Sequence, residues 1–290
     1  MKNNIYIYLA LTSLLATACN FNVSVSKDFM TGITTKGNGI AADEVYLSDG
    51  TNGLKKRTFK YGEKIYTNFT NLSGFTIEDG VYYPIMNVLV ISKKGDTLMN
   101  YADLYDGKAI DASDNTLNGH VILANPIKSN QEYTIQYEIL DAGGDGSFSS
   151  EMDFEVLPDE SIKIKKNGLD FDEVYIMNSD DGTVIADNTI EADQNVYLNF
   201  QGLTGYTTTK NTAEVGLKVT VTDDDGNIII AEADIFKGQQ VRIQDLEQGI
   251  ASTIVMSPGR VNNPLTWEVE IWDKNSDAKL RAQTQITVKK

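Results

Sequence analysis

One cysteine, one histidine and five prolines are all that this 290-residue chain holds of three residue types that often organise a site or a fold. With Cys19 alone there can be no internal disulfide, and cysteine-based zinc sites are excluded as well. The solitary His120, in Asn118-Gly119-His120-Val121, comes with neither a serine elbow nor metal-ligand spacing. It therefore reads as a strand-rim or surface side chain rather than a catalytic base. Positive charge is also scarce, at 25 basic residues against 41 acidic ones and a net charge of −16. Nucleic acids and anionic headgroups bind clustered positive charge, so no nucleic-acid partner is expected. Nothing after the first nineteen residues resembles a membrane span.

What is present begins with an address. Lys2 precedes an uncharged, largely apolar run from Ile5 to Leu15 that ends in Ala16-Thr17-Ala18-Cys19. A charged start, a short apolar centre and small residues before a cut form a secretory signal. The ending resembles a bacterial lipobox, with Ala16 where that motif usually has leucine. The resemblance implies a signal peptide over 1–18 and acylation of the Cys19 thiol, which would tie the mature chain to membrane lipid. Residues 19–35 are then a tether of about twenty residues at most, reaching no more than ~70 Å when fully extended. An ordinary secretory signal with an incidental cysteine is the alternative. A retained membrane helix is disfavoured, because the run is shorter than the roughly 20 residues that span a bilayer.

The rest of the chain is a repeat. Asp43-Glu44-Val45-Tyr46-Leu47 returns as Asp172-Glu173-Val174-Tyr175-Ile176, and Ile65-Tyr66-Thr67-Asn68-Phe69 as Val196-Tyr197-Leu198-Asn199-Phe200. Leu72-Ser73-Gly74-Phe75-Thr76 returns as Leu203-Thr204-Gly205-Tyr206-Thr207, and the same offset of 131 carries Ala102-Asp103-Leu104-Tyr105 onto Ala233-Asp234-Ile235-Phe236. A constant offset over most of each half marks two copies of one unit. Acid is shared evenly: residues 20–157 hold 11 basic and 19 acidic side chains, and residues 158–290 hold 13 and 22. The expected units are 36–157 and 158–290, with the boundary in the polar stretch from Pro158 to Lys166.

Within each copy the apolar period is two. Ile135, Tyr137 and Ile139 alternate with polar neighbours, as do Leu217, Val219 and Val221, and Trp267, Val269 and Ile271. That pattern predicts half-buried antiparallel strands. Glycine-bearing turns at Lys93-Lys94-Gly95-Asp96 and Asp223-Asp224-Asp225-Gly226 predict hairpins. In the first copy, strands are expected near 43–48, 64–70, 86–92, 97–104, 118–124, 132–140 and 150–157. Seven short strands in each copy, with no long amphipathic helix, predict an all-β chain of two tandem antiparallel β-sandwiches of immunoglobulin or fibronectin III type. A C2-like or jelly-roll sandwich is the alternative, since pattern alone does not give strand order.

Chemistry is sparse, so the candidate site residues are few. Tyr66 and Tyr197 lie on the strand face opposite their apolar neighbours and are candidates for an exposed aromatic ligand surface; tyrosines packed at a sheet rim are the plainer reading. Asp223, Asp224 and Asp225 fall in a hairpin turn and offer the oxygen ligands that calcium takes. The first copy has Lys93-Lys94 there, and turn aspartates commonly bond their own backbone. No catalytic residue and no other cofactor is expected.

The lipobox followed by an all-β tandem resembles the two-domain, immunoglobulin-like lipoproteins of Bacteroidota-type outer membranes. That resemblance implies an outer-membrane, lipid-anchored protein, and the sequence Asn20-Phe21-Asn22-Val23-Ser24 lacks the acidic run that sends some such lipoproteins to the cell surface. A periplasm-facing position is therefore favoured. Two functions compete: a non-enzymatic interaction module for another envelope protein, or a module binding carbohydrate or another small ligand, with or without calcium.

Overall fold

The computed structural model describes residues 23–257, 259 and 262–289, so the expected signal peptide and the lipidation site Cys19 lie outside the described residues. Among the described residues the chain is all-β apart from one short helix, Ile243–Gln248. The alternation read from sequence becomes burial: Lys64–Thr70 alternates between exposed or half-buried and buried positions, and Lys279–Lys289 buries every second residue along its length. Because side chains of a strand point alternately to its two faces, this pattern puts one face of each strand in a core and the other outside.

In the first copy one sheet runs in the order Val23–Lys27, Thr34–Asn38, Ser147–Leu157, Gln131–Asp141, Pro84–Ser92, Thr97–Tyr101. The facing sheet runs Leu117–Ile122, Lys64–Thr70, Glu44–Ser48, Gly53–Leu54. The second copy repeats this order with Lys163–Asn167, Lys279–Lys289, Leu265–Asp273, Val215–Thr222 and Ile228–Glu232 in one sheet, and Ile250–Val255, Asn195–Gln201 and Glu173–Asn178 in the other. In both, a short strand lies parallel to the last one: Thr58–Lys60 beside Glu155–Leu157, and Thr189–Glu191 beside Thr287–Lys289. All other pairings between named strands are antiparallel among the described residues, and the result is the immunoglobulin or fibronectin-like β-sandwich.

Buried apolar side chains fall into two clusters. One spans Ile33 to Val156 and includes Phe69, Tyr133 and Tyr137; the other spans Ile162 to Val288 and includes Phe200 and Trp267. Phe69 and Phe200 are both wholly inaccessible to solvent, at 0% exposure. Each sandwich is closed at one end by the same device. Gly74 and Gly205 adopt φ of +94° and +86°, and a Cβ on them would stand 2.0 and 2.1 Å from the carbonyl oxygens of Gly39 and Gly168. Only glycine allows that approach. It lets the Ser73 and Ala41 backbones, and those of Thr204 and Asp170, exchange paired hydrogen bonds.

The expected tether over 19–35 needs correction. Val23–Lys27 is a strand that pairs with Thr34–Asn38, which in turn pairs with Ser147–Glu151. Alternating Val23-Ser24-Val25-Ser26 suits a strand, and the Asp28 carboxylate closes the following turn by accepting the Met30 N–H and the Thr31 hydroxyl. Three residues, 20 to 22, are thus left between Cys19 and the first strand, and four residue steps reach at most ~14 Å when extended.

The two sandwiches meet in a joint of mixed chemistry. The Tyr61 and Tyr175 rings pack with centroids 5.2 Å apart. The Ser129 N–H donates to Glu173 at 2.7 Å, and Lys128 pairs with Asp172 at 3.0 Å. Lys60 reaches both Asp159 and the Ala186 carbonyl. Glu173 is buried, and that burial raises its carboxyl above its usual range despite the hydrogen bonds from Ser129.

Candidate functional site

The first sandwich carries a cleft of about 490 Å³ on the side between its two sheets. Its walls are Tyr101, Leu104 and Tyr105 from one sheet's last strand and the turn after it, and Asn118 to Ile122 from the edge of the other. The turn is fixed locally: Asp103 adopts a left-handed φ of 46°, and its carboxylate accepts the N–H groups of Tyr105 and Gly107. The Tyr105 hydroxyl then bridges the cleft, accepting the Asn118 N–H at 2.9 Å and donating to the Asn118 carbonyl at 3.2 Å. Burial raises the Tyr105 phenol's pKa, so it stays protonated and able to donate.

Beside the exposed Tyr101, two aliphatic side chains are left facing water there. Leu104 is 39% exposed and Ile122 is 40% exposed; their counterparts in the second copy, Ile235 and Val255, are 40% and 46% exposed. An isolated exposed aliphatic is ordinary, but the same pair exposed at the same place in both copies is a repeated surface. Phe236 replaces Tyr105 in the second copy and has no hydroxyl for the strand edge, where a short helix, Ile243–Gln248, now precedes the strand Ile250–Val255.

His120 lies across from Tyr66 in the strand pairing, and the two rings pack at a 42° tilt with centroids 5.3 Å apart. Lys64 holds its ammonium 4.9 Å from the centre of the Tyr66 ring. Burial first, and the Lys64 charge second, push the His120 pKa below its ordinary value, so the imidazole is neutral at pH 7. Tyr66 is thus half-buried within a small cluster rather than part of a solvent-facing strip. Tyr197 is also half-buried, and faces Thr253 where Tyr66 faces His120.

The aspartates fall into structural roles. Asp223 accepts both the backbone and side-chain N–H of Asn227, at 2.8 and 3.0 Å, and the side-chain bond is the main reason its carboxyl lies below the usual range. Asp225 accepts from the Asn262 side chain at 2.6 Å. Asp223, Asp224 and Asp225 therefore do not converge, and among the described residues no group of three or more His, Cys, Asp or Glu is placed to hold a metal ion. Sequence reasoning also passed over a repeated buried carboxylate as a fastener. Asp141 accepts the Thr76 N–H at 2.7 Å, and Asp273 accepts the Thr207 N–H at 2.8 Å and its hydroxyl at 2.6 Å. Burial alone would raise the Asp273 carboxyl, but bonds from Thr207, Ser276 and Asn275 outweigh it and hold it below the usual range. The signal was available, because both aspartates and both threonines recur at nearly the same offset.

No family model and no curated protein matches this chain. Among solved structures, trypsin-activated alpha-2-macroglobulin from Escherichia coli is similar at 8% identity and a TM-score of 0.28, over 89% of this chain and 18% of that one. The fibronectin(III)-like modules of Clostridium thermocellum CbhA are similar at 11% identity and a TM-score of 0.20, over 85% of this chain and 94% of theirs. A DUF3823 family protein from Bacteroides ovatus gives 11% identity and a TM-score of 0.24, over 74% of this chain and 97% of that one. The chain thus spans less than a fifth of the alpha-2-macroglobulin's length. Similarity at this level says nothing of activity, ligand or partner.

Proposed function

We propose that this chain is a lipid-anchored protein of a bacterial outer membrane, facing the periplasm, that works without catalysis by holding another envelope protein against its sandwich surfaces. The observation that carries this reading is the exposed apolar pair Leu104 and Ile122, repeated as Ile235 and Val255. Water-exposed aliphatics beside a strand edge favour an extended polypeptide that adds to the edge through its backbone and buries its side chains in the cleft. The short reach from Cys19 to the first strand supports a partner in or close to the same membrane. Support for a non-catalytic role comes from the clustered aspartates that close turns and from a histidine packed against a tyrosine.

Photo-cross-linking in intact envelopes tests this proposal. A photoreactive residue at position 122 or 255 should give one discrete adduct, and Leu104→Glu or Ile235→Glu should abolish it while the protein stays folded. Finding no adduct at either position would reject the reading.

A second reading is favoured by the Tyr66–His120 pair beside the cleft, which offers aromatic faces next to polar groups, as sugar-binding surfaces do. Specific glycan-array binding lost in Tyr66→Ala or Tyr197→Ala, without any protein adduct, would select it.

A further inference from the structure

The joint between the sandwiches is built from residues that the repeat duplicates, and in the first copy the duplicate lines a cleft of about 350 Å³ whose other walls include Lys27, Asp28, Ile33 and Lys55. In the second copy, Asp172, Glu173 and Tyr175 receive the end of the first sandwich: Lys128 on Asp172, the Ser129 N–H on Glu173, the Tyr61 ring on Tyr175. In the first copy the same sequence stands as Asp43, Glu44 and Tyr46, on the equivalent strand with the same pairing partner strand. Glu173 is buried, whereas Glu44 is exposed, and among the described residues neither Asp43 nor Glu44 has an ion-pair partner.

We infer that Asp43, Glu44 and Tyr46 form a second, vacant docking surface, and that it takes a loop end of another envelope protein that presents a lysine, a free backbone N–H and an aromatic ring. This surface rests on the reading of the chain as an interaction module and locates a contact separate from the cleft. The chemistry of the occupant is read from the joint, where the same receiving triad already holds such an end. Charge makes the same choice: in this cleft the carboxylates of Asp28, Asp43 and Glu44 outnumber the ammonium groups of Lys27 and Lys55, which favours a basic loop over an acidic one.

A second copy of this chain docking end to end lacks the aromatic ring that the joint uses. The end of the first sandwich is already engaged by its own neighbour. The corresponding end of the second sandwich carries Glu191, Ala192 and Asp193 where the first has Lys60, Tyr61 and Gly62. With Ala192 at the place of Tyr61, that end offers no ring to Tyr46.

The test uses the full chain in its own envelope, with photoreactive p-benzoylphenylalanine replacing Tyr46 in one strain and Ile122 in another. The expected result is an adduct from position 46 that maps to a lysine-bearing loop with an aromatic residue, falls at least tenfold with Glu44→Lys, and returns when the mapped lysine is changed to glutamate. Adducts from position 122 but none from 46 would overturn this inference and leave the interaction reading standing. An adduct from 46 that is indifferent to charge reversal, or that maps to another copy of this chain, would overturn it too. Silence at both positions would overturn both.

Discussion

Both tryptophans, Trp267 and Trp272, lie in the second sandwich, so tryptophan fluorescence excited where tyrosine does not absorb reports on that half alone. Trp267 is at 0% exposure and donates its indole N–H to Ser252 at 3.2 Å, which makes its emission sensitive to loss of that core. Phe200→Ala removes a ring at 0% exposure that packs edge-on to Phe171 at 6.4 Å. A buried phenylalanine reduced to alanine costs about 3–5 kcal/mol, from lost transfer energy and the cavity left behind. In a sandwich of this size that corresponds to a fall of about 10–20 °C in the fluorescence midpoint. Phe69→Ala deletes the equivalent ring in the other core, also at 0% exposure and packed against Tyr137 and Phe148. It should cost a similar amount, seen by far-UV circular dichroism as an early transition. The fluorescence midpoint should move much less, because only the joint's few contacts connect the two cores. Equal shifts of the fluorescence midpoint in both variants would refute the reasoning and show one cooperative core.

Gly205→Ala should destabilise the second sandwich by about 3–4 kcal/mol, combining a left-handed backbone penalty of about 1–2 kcal/mol with two backbone hydrogen bonds of about 1 kcal/mol each; urea unfolding followed by tryptophan emission measures it. His120 has its pKa depressed below 6.5 by burial and by Lys64, so the unfolded chain takes up its proton first and the stability it contributes, present above that value, is lost as pH falls through the folded-state pKa. His120→Asn should lessen the drop in thermal midpoint between neutral and mildly acidic pH, and an unchanged pH profile would contradict the shift. Glu173→Ala should loosen the joint by leaving the Ser129 N–H without its acceptor, at about 1–3 kcal/mol, read as faster hydrogen exchange around residues 128–130 and 173–175. Cys19→Ser should release the protein from membranes into the soluble fraction; mass spectrometry finding an unmodified Cys19 thiol in the mature protein would refute lipid attachment.

The strands could be read from the chain because their cause is local. Alternation of apolar and polar residues, as in Ile135-Gln136-Tyr137-Glu138-Ile139, leaves a strand only one face to bury, and the strands near 44–48, 64–70 and 84–92 stand where that pattern puts them. The repeat was equally legible, since it needs only a comparison of the chain with itself. Three things were decided by the tertiary structure. Val23–Lys27 was read as tether because four alternating small and β-branched residues are too few to identify a strand without a partner edge, and that edge, Thr34–Asn38, is held by a strand more than a hundred residues later. Asp223, Asp224 and Asp225 looked like a set of oxygen ligands, yet Asn227 and Asn262 draw two of their carboxylates apart; whether carboxylates converge depends on which loop folds over which. Finally, Glu44 and Glu173 sit in the same local sequence, and one is exposed while the other is buried. Sequence gave both the same strand and the same neighbours, but burial depends on what lies across space, and only the packing of the first sandwich's end against the second put Tyr61 and Ser129 over one and not the other.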